Sequence, residues 1–237
     1  MTKLSVNINK VALIRNSRLG NMPNLLTVAK DCELWGAQGI TVHPRPDERH
    51  VRYSDLQPLR DQNTTEFNIE GYPDERFLKT VMAVKPHQCT LVPDPPGVLT
   101  SDAGWDTKGQ FGFLQDVVGH LKSAGIRVSL FLNPEEEMVD YAARIGTDRI
   151  ELYTGKFAHD FEHDPYDAVA PHALASQAAA TLGLGLNAGH DLNLKNLKFY
   201  RENVVDLLEV SIGHALICDA IYYGLQNSIQ MYLSKLS

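Results

Sequence analysis

Acid and base side chains stand at the C-terminal ends of three apolar segments in this sequence. His43 ends the run "GITVH", Glu70 ends "EFNIE" and His190 ends "GLNAGH". Imidazole titrates near neutral pH, and burial raises the pKa of a carboxyl group toward neutrality, so all three groups are suited to exchange protons with a substrate. We therefore interpret His43, Glu70 and His190 as candidate catalytic residues.

Two other interpretations of these residues remain open at this stage. A histidine at the end of a strand can be a core residue that is hydrogen-bonded to a backbone carbonyl. A divalent metal ion held by His43, Glu70, Glu151 and His190 is the second alternative, but no H-x-H or H-E-x-x-H spacing supports it.

A basic segment follows His43 directly, in "TVHPRPDERH". The net charge of the chain is -7, so a bound anion must be held by a local cluster of cations. The guanidinium group of arginine can donate two hydrogen bonds to phosphate oxygens. The two prolines reduce the conformational entropy that the loop loses when a ligand binds. The densest group of candidate cations is Arg45, Arg49 and His50, and Arg15 and Arg18 are further candidates.

A second candidate phosphate site lies near the C-terminus, in "SIGHALICDAIYYGL". Gly213 and His214 stand at the expected start of a helix. The free N–H groups of a helix N-terminus, together with the helix dipole, favour a phosphate.

Eight short strand-like runs alternate with helix-like segments along the chain. Residues 25–35 and 114–124 show apolar residues at helical spacing, which predicts helices that pack against a sheet. Eight βα units predict the α/β class and a (β/α)8 TIM barrel formed by one domain over residues 1–237, with a doubly wound open sheet as the alternative. The predicted strands are 4–8, 39–43, 66–70, 88–93, 127–133, 149–155, 185–190 and 207–214.

Four of these strands carry polar residues two positions apart, which places both residues of each pair on one face. The opposite positions are apolar and suit packing against helices. Carboxylates in a barrel interior need partners, and the active site of such a barrel lies at the C-terminal ends of its strands, so a polar interior indicates a ligand site there. The pairs are Asn7 with Asn9, Asn68 with Glu70, Glu151 with Tyr153, and Glu209 with Ser211.

Two local predictions concern the loops. Asn133, followed by Pro134 and three glutamates, predicts the N-cap of a helix. The long connection over residues 94–109 predicts a lid over the site.

Composition argues against several classes of protein. The acidic balance argues against a broad nucleic-acid surface, and no apolar run is long enough to span a bilayer. The first residues lack the pattern of a secretory signal, and the three cysteines are widely spaced among apolar residues. We therefore expect no nucleic-acid or membrane partner, no disulfide framework and a cytoplasmic location.

Taken together, these motifs resemble the pyridoxine 5′-phosphate synthase family of vitamin B6 biosynthesis. The resemblance covers almost the whole chain. It implies a (β/α)8 barrel that forms a homo-octamer and condenses two small phosphorylated substrates, 1-deoxy-D-xylulose 5-phosphate and 3-amino-2-oxopropyl phosphate, with release of phosphate and water. No cofactor or metal is implied. The motifs include "VNINKVALIRNSR", "GITVHPRPDERH", "FNIEG", "KPHQCTLVP", "IELYTG", "LGLGLNAGHDL" and "VSIGHALI".

The resemblance also implies roles for individual residues. It makes His43, Glu70 and His190 the catalytic residues, with His190 as a proton donor. It assigns Asn7, Arg18, Gly213 and His214 to the phosphate of the amino ketone, and Arg45, His50 and Thr100 to the phosphate of the sugar.

This chain departs from the family pattern at three of its substrate-binding positions. Asn9 and Lys10 replace an Asp-His pair, and Asp191 replaces a glycine. Lys10 can still offer a positive charge to the sugar phosphate, whereas Asn9 cannot act as a base. Asp191 would repel a phosphate unless it contacts the substrate through its backbone.

Two rival functions stay open from the sequence alone. Another phosphosugar isomerase or aldolase on the same barrel would show a Schiff-base lysine at a strand end or a metal set, and Lys10 is the lysine to check. A non-catalytic phosphate-binding barrel would keep Gly213 and His214 but would not need Glu70.

Overall fold

Eight parallel strands form a closed barrel in a computed structural model that describes residues 1–18, 20–94 and 103–237. Each strand pairs with the next along the chain, and β1 pairs with β8, with Leu4 opposite Val210. The predicted (β/α)8 barrel and its eight strands are confirmed, and the open-sheet alternative is wrong. The strands are β1 Lys3–Asn7, β2 Gly39–Val42, β3 Glu66–Gly71, β4 Gln88–Leu91, β5 Arg127–Leu132, β6 Arg149–Tyr153, β7 Gly185–Gly189 and β8 Leu207–Ile212.

Helices surround the barrel and connect its strands. The two helices predicted from apolar spacing are α2 and α5. Within the described ranges, no helix is long and apolar enough to cross a bilayer. The helices are α1 Asn9–Asn16, α2 Leu25–Leu34, α3 Tyr53–Gln62, α4 Glu75–Val84, α5 Phe111–Ser123, α6 Glu136–Ile145, α7 Gly155–Asp160, α8 Pro165–Thr181, α9 Leu197–Asn203, α10 His214–Tyr223 and α11 Leu225–Leu236.

Side-chain caps fix the start of several helices. Asn24 accepts a hydrogen bond from the Thr27 N–H at the start of α2, and Asp74 accepts one from Phe77 N–H at the start of α4. These caps satisfy N–H groups that have no partner inside the helix.

The predicted cap at Asn133 is wrong. Helix α6 begins at Glu136 with Glu135 at the N-cap, and no side chain caps it. The Asn133 side chain instead accepts a hydrogen bond from the Gly104 N–H at 3.1 Å, which ties the connection before α5 to the end of β5. A contact with a residue 29 positions away has displaced the local capping preference.

The outer wall of the barrel is apolar, as the alternation predicts. Val6, Ile69, Ile150 and Val210 are completely buried between the strands and the helices. Burial of each such side chain contributes about 1.5–3 kcal/mol to folding, so this layer carries much of the stability of the barrel.

The inner wall is polar on every strand, which extends the prediction from four strands to eight. Hydroxyl and amide groups bridge neighbouring strands: Ser5 Oγ lies 2.7 Å from Thr41 Oγ1, and Thr90 Oγ1 donates to Asn68 Oδ1 at 3.1 Å. The inward-facing positions, two apart along each strand, include Ser5, Asn7, Thr41, Asn68, Glu70, Gln88, Thr90, Arg127, Ser129, Arg149, Glu151, Asn187, Glu209 and Ser211.

Charged groups fill the half of the barrel farther from the C-terminal ends of the strands. The guanidinium of Arg127 pairs with Glu66 and donates to Gln88 Oε1 at 2.9 Å, and Arg149 donates to Asn187 Oδ1 at 3.1 Å. Because a carboxylate in this position loses most of its hydration, it requires such partners.

Removing the Arg127 side chain leaves the Glu66 carboxylate in the barrel without its cation. We expect Arg127→Ala to lower the free energy of unfolding by about 2–4 kcal/mol in urea titrations. The matched control is Lys198→Ala, which removes an exposed pair with Glu202 on α9. Its expected cost is below about 0.5 kcal/mol, and equal losses in the two variants would contradict a stabilising role for the interior pair.

Candidate active site

His43 and Glu70 lie side by side at the C-terminal mouth of the barrel. His43 directly follows β2 and Glu70 is near the end of β3, so neighbouring parallel strands bring them together. The His43 Nδ1 atom is 3.8 Å from Glu70 Oε2, and both side chains are buried. At this separation a small shift or a substrate atom between them completes a proton path.

The surroundings of this pair shift both pKa values toward the uncharged forms. Burial and the positive charge of Arg45 lower the pKa of His43 well below 6.5. Burial raises the pKa of Glu70 to about 7, against the opposing effect of Arg45. At neutral pH the imidazole is therefore neutral, and Glu70 is divided between its acid and its carboxylate, so each can accept a proton and Glu70 can also donate one.

Arg45 lies beside the pair and forms an ion pair with Asp94, a residue that the sequence patterns did not indicate. Its Nη1 atom is 3.1 Å from Asp94 Oδ2, and both residues are buried. Asp94 follows β4 after Val92 and Pro93, and an acid just beyond a strand end is the signal that would have identified it.

His50 and Lys10 are the other cationic candidates on this side of the mouth. The rings of His43 and His50 form an edge contact with centroids 6.5 Å apart. Burial, together with the positive charges of Arg49, Arg45 and Lys10, lowers the pKa of His50 to about 4. His50 is therefore uncharged at neutral pH, and Arg45 and Lys10 bring positive charge to this group of three predicted ligands, which we call the basic cluster.

His190 lies on the opposite side, directly after β7. Its ring packs against Phe131 and Tyr153, with centroids at 5.3 Å and 5.5 Å. Burial lowers its pKa, and the negative charges of Asp191 and Asp94 oppose that shift.

The backbone around His190 is held in an unusual conformation. His190 and Asp191 have φ angles of 80° and 54°, in the left-handed region that L-residues rarely adopt. Buried Thr154 donates its hydroxyl to the carbonyls of Gly189 and His190. Thr154 thus supports the turn that presents His190, a role that no sequence pattern indicated.

Asn7, Asn9 and Gly213 meet where β1 and β8 end. The predicted pairing of Asn7 and Asn9 on one strand face is wrong, because β1 ends at Asn7 and Asn9 begins α1. Asn9 N–H donates to Asn7 Oδ1 at 3.0 Å, and Asn9 Oδ1 accepts the backbone N–H of His43 at 2.9 Å. The amide at position 9 therefore orients the catalytic loop without acting as a base.

Gly213 is the N-cap of α10, as predicted. A side chain at this position would crowd Asn7, whose Cβ would lie 3.1 Å away, so the close approach of this residue to Asn7 favours glycine.

The remaining predicted ligands are exposed or lie outside the described residues. His214 is exposed at the start of α10, where its ring nitrogens are 3.7 and 3.9 Å from the Cys218 sulfur. Arg18 and Asp191 are exposed, Arg18 just after α1 and Asp191 just after His190. Thr100 and residues 95–102 of the predicted lid lie outside the described residues.

Two further acids lie deeper in the barrel. Glu151 approaches Gly189 closely enough that a side chain there would collide with its carboxyl group. Burial and the charges of Glu70 and Glu209 raise the pKa of Glu151 well above 4.5, and burial raises that of Glu209 to about 8. Both shifts favour the protonated, neutral form of the carboxyl group.

The four residues of the metal-binding alternative do not form a metal site. Among residues 1–18, 20–94 and 103–237, no group of three or more histidine, cysteine, aspartate and glutamate side chains is placed to hold a metal ion. Lys10 lies on α1 and not at a strand end, unlike the Schiff-base lysine that an aldolase would need.

Comparison with known proteins identifies the family. The profile described as "Pyridoxal phosphate biosynthesis protein PdxJ" matches residues 4–237. The chain belongs to the PdxJ family. Proteins named "Pyridoxine 5′-phosphate synthase" share 59% identity with it over 98% of both chains in Bacteroides fragilis (strain YCH46) and 58% identity over the full length of both chains in Parabacteroides distasonis.

Solved structures confirm the barrel fold of this PdxJ family member at low sequence identity. A 3-keto-L-gulonate-6-phosphate decarboxylase from Vibrio cholerae matches with a TM-score of 0.67 and 7% identity, over 99% of this chain and 97% of that chain. A phosphoribosylanthranilate isomerase from Thermotoga maritima matches with a TM-score of 0.62 and 12% identity, over 100% of this chain and 98% of that chain. Such likeness concerns the fold alone.

The raised pKa of Glu70 predicts a pH-dependent cost of folding. Folding raises this pKa from 4.5 to about 7. Ionisation of Glu70 therefore destabilises the folded state by an amount that is negligible below pH 4.5, increases between pH 4.5 and pH 7, and is constant above pH 7. We expect Glu70→Gln to gain stability relative to wild type as the pH rises from 5 to 8, by on the order of 2 kcal/mol in denaturant titrations. A pH-independent difference would show that Glu70 ionises normally.

Proposed function

We propose that this chain catalyses the condensation of 1-deoxy-D-xylulose 5-phosphate with 3-amino-2-oxopropyl phosphate to form pyridoxine 5′-phosphate, phosphate and water. Two observations support this function: the chain belongs to the PdxJ family, and it shares 58–59% identity over almost its full length with proteins named pyridoxine 5′-phosphate synthase. The observation that carries the proposal is the buried His43–Glu70 pair with Arg45 beside it at the mouth of the barrel. That arrangement combines proton transfer with anion binding in one site.

The two substrate phosphates are assigned to two neighbouring parts of the mouth, one after β8 and one after β2. The N-terminus of α10 at Gly213, beside Asn7, suits the phosphate of the amino ketone, and the exposed Arg18 and His214 are the other residues assigned to it. The basic cluster of Arg45, His50 and Lys10 suits the phosphate of the sugar.

Substrate charge has a direct effect on the catalytic groups. Burial and neighbouring cations keep His43 neutral, and burial does the same for His190. A phosphate dianion bound nearby favours the protonated imidazolium form, and so raises both pKa values. Substrate binding therefore prepares His190 to donate a proton.

Proton transfer then follows from the geometry. The amine of one substrate attacks the ketone of the other, and His43 and Glu70 accept and return protons during imine formation, phosphate loss and ring closure. His190, on the opposite side of the mouth, protonates the departing hydroxyl. The apolar faces of Phe131 and Tyr153 keep its ring in place and shield that side from water.

Product formation tests the proposed function directly. Purified protein with both substrates is expected to release pyridoxine 5′-phosphate, measured by chromatography, and its absence would refute the proposal. Glu70→Gln keeps the size of the side chain but removes the base, so we expect turnover to fall roughly 10²–10⁴-fold. Glu202→Gln on the exposed surface of α9 is the control, and near wild-type turnover by Glu70→Gln would exclude Glu70 as the base.

We further propose that residues 1–237 form one domain that assembles as a homo-oligomer, the octamer implied by the resemblance. The hydrogen bonds between β1 and β8 support one domain, because they join the first strand to the last. Three consecutive apolar residues at the end of α10 support assembly: Ile221, Tyr222 and Tyr223 are 74%, 84% and 52% exposed. A second copy of the chain is the proposed occupant of this surface.

Free thiols at Cys32, Cys89 and Cys218 support the proposed cytoplasmic location.

Light scattering during size-exclusion chromatography tests the assembly. We expect a mass of eight times the 26.4 kDa of one chain. Tyr222→Glu places a charge in the proposed contact and is expected to shift the protein to smaller species. Tyr166→Glu, at a tyrosine that is 70% exposed on α8, is the matched control. An unchanged mass for Tyr222→Glu would rule out this surface as the contact.

A further inference from the structure

The loop that carries Arg45 and His50 is hydrogen-bonded to two residues of α1 that the proposed mechanism does not use. The Nδ2 atom of Asn16 donates to three successive backbone carbonyls, those of Glu48, Arg49 and His50, at 3.4, 3.2 and 2.6 Å. The neighbouring Arg15 also donates to the His50 carbonyl, at 3.2 Å. Both residues thus hold the stretch that places His50 next to His43.

Arg15 and Asn16 are themselves fixed by the start of α3. The buried Arg15 guanidinium makes a two-fold contact with Asp55, at 2.8 and 2.9 Å. Asn16 Oδ1 accepts from Arg15 Nε at 3.1 Å and from Arg52 Nη2 at 2.9 Å. We call Arg15, Asn16, Arg52 and Asp55 the α1–α3 clamp.

The loop needs this support because its backbone is bent. Glu48 has a φ of 52°, in the left-handed region that costs an L-residue free energy. Its N–H donates to the Arg45 carbonyl at 2.9 Å, which closes a turn between the two ligands Arg45 and His50. Successive carbonyls that point the same way also repel each other, and the Asn16 amide offsets that repulsion.

One atom of the loop indicates what the clamp serves. The Nδ1 atom of His50 is buried and has no hydrogen-bond partner among the described residues. Buried polar atoms are nearly always paired, so an atom left without a partner beside Arg45 is available to a ligand.

We propose that Arg15 and Asn16 are positioning residues for the sugar-phosphate side of the site. They do not touch the substrate. They fix the carbonyls of residues 48–50, and thereby the direction in which His50 meets the phosphate oxygens. This inference rests on the proposed function, because it concerns the affinity for one of its two substrates.

Asn16→Asp is the sharpest test, because it replaces the amide donor with an oxygen at almost unchanged size. We expect the KM for 1-deoxy-D-xylulose 5-phosphate, and its Kd by calorimetry, to rise about 5- to 30-fold, as for one or two hydrogen bonds lost. The KM for 3-amino-2-oxopropyl phosphate and kcat should stay within about twofold. A merely structural role would not separate the two substrates in this way.

Two further variants keep the test decisive. Arg52→Ala removes an exposed part of the clamp with little effect on folding, and we expect a rise of about 2- to 5-fold in the same KM. Asn203→Asp is the matched control, because the Asn203 side chain donates to one carbonyl, that of Phe199, at 2.8 Å on distant α9. It should leave both KM values unchanged.

The possible results separate this inference from the proposed function. Product formation by wild type, with the KM for the sugar phosphate unchanged in Asn16→Asp and Arg52→Ala, would overturn the positioning role alone. Equal rises in both KM values would overturn it as well. No product from wild type would overturn the proposed function and this inference with it.

Discussion

Burial of polar and charged side chains inside a closed barrel is the constraint on which the rest of this structure depends. Every strand turns one apolar face toward the helices and one polar face toward the barrel interior. A charge in that interior is stable only when it is paired or neutralised. The structure uses both solutions: Arg127 pairs with Glu66 in the deeper half, whereas Glu70, Glu151 and Glu209 have raised pKa values that favour their neutral forms.

The same constraint gives the site its chemistry. In water, a histidine and a glutamate would both be charged near pH 5, whereas at the mouth of this barrel burial moves both toward neutrality. Arg45 opposes this effect for Glu70 and reinforces it for His43. A cation next to the pair thus modulates the protonation of the acid and base groups and also offers a position for a phosphate.

Loops at the mouth are held by elements that lie far from them in the sequence. Thr154, after β6, binds the carbonyls of Gly189 and His190 after β7. Asn9, at the start of α1, accepts the N–H of His43, and Asn16 at the end of the same helix binds the loop before α3. Helix α1 therefore supports the basic side of the site at both of its ends.

The sequence by itself determined the number and order of the strands, their polar and apolar faces, and the strand-end positions of His43, Glu70 and His190. These features follow from the alternation of polar and apolar residues along each strand and from the residue types that end strands and helices, both of which are visible in a single sequence. Tertiary structure decided the partners: Asp94 for Arg45, Asp55 for Arg15, Gly104 for Asn133, and His43 for Asn9. These partners are 29 to 49 residues apart, and they meet because the parallel strands bring segments that are distant in the sequence to one end of the barrel. The pKa values on which the chemistry depends are set by burial at this end of the barrel and cannot be read from a local sequence pattern.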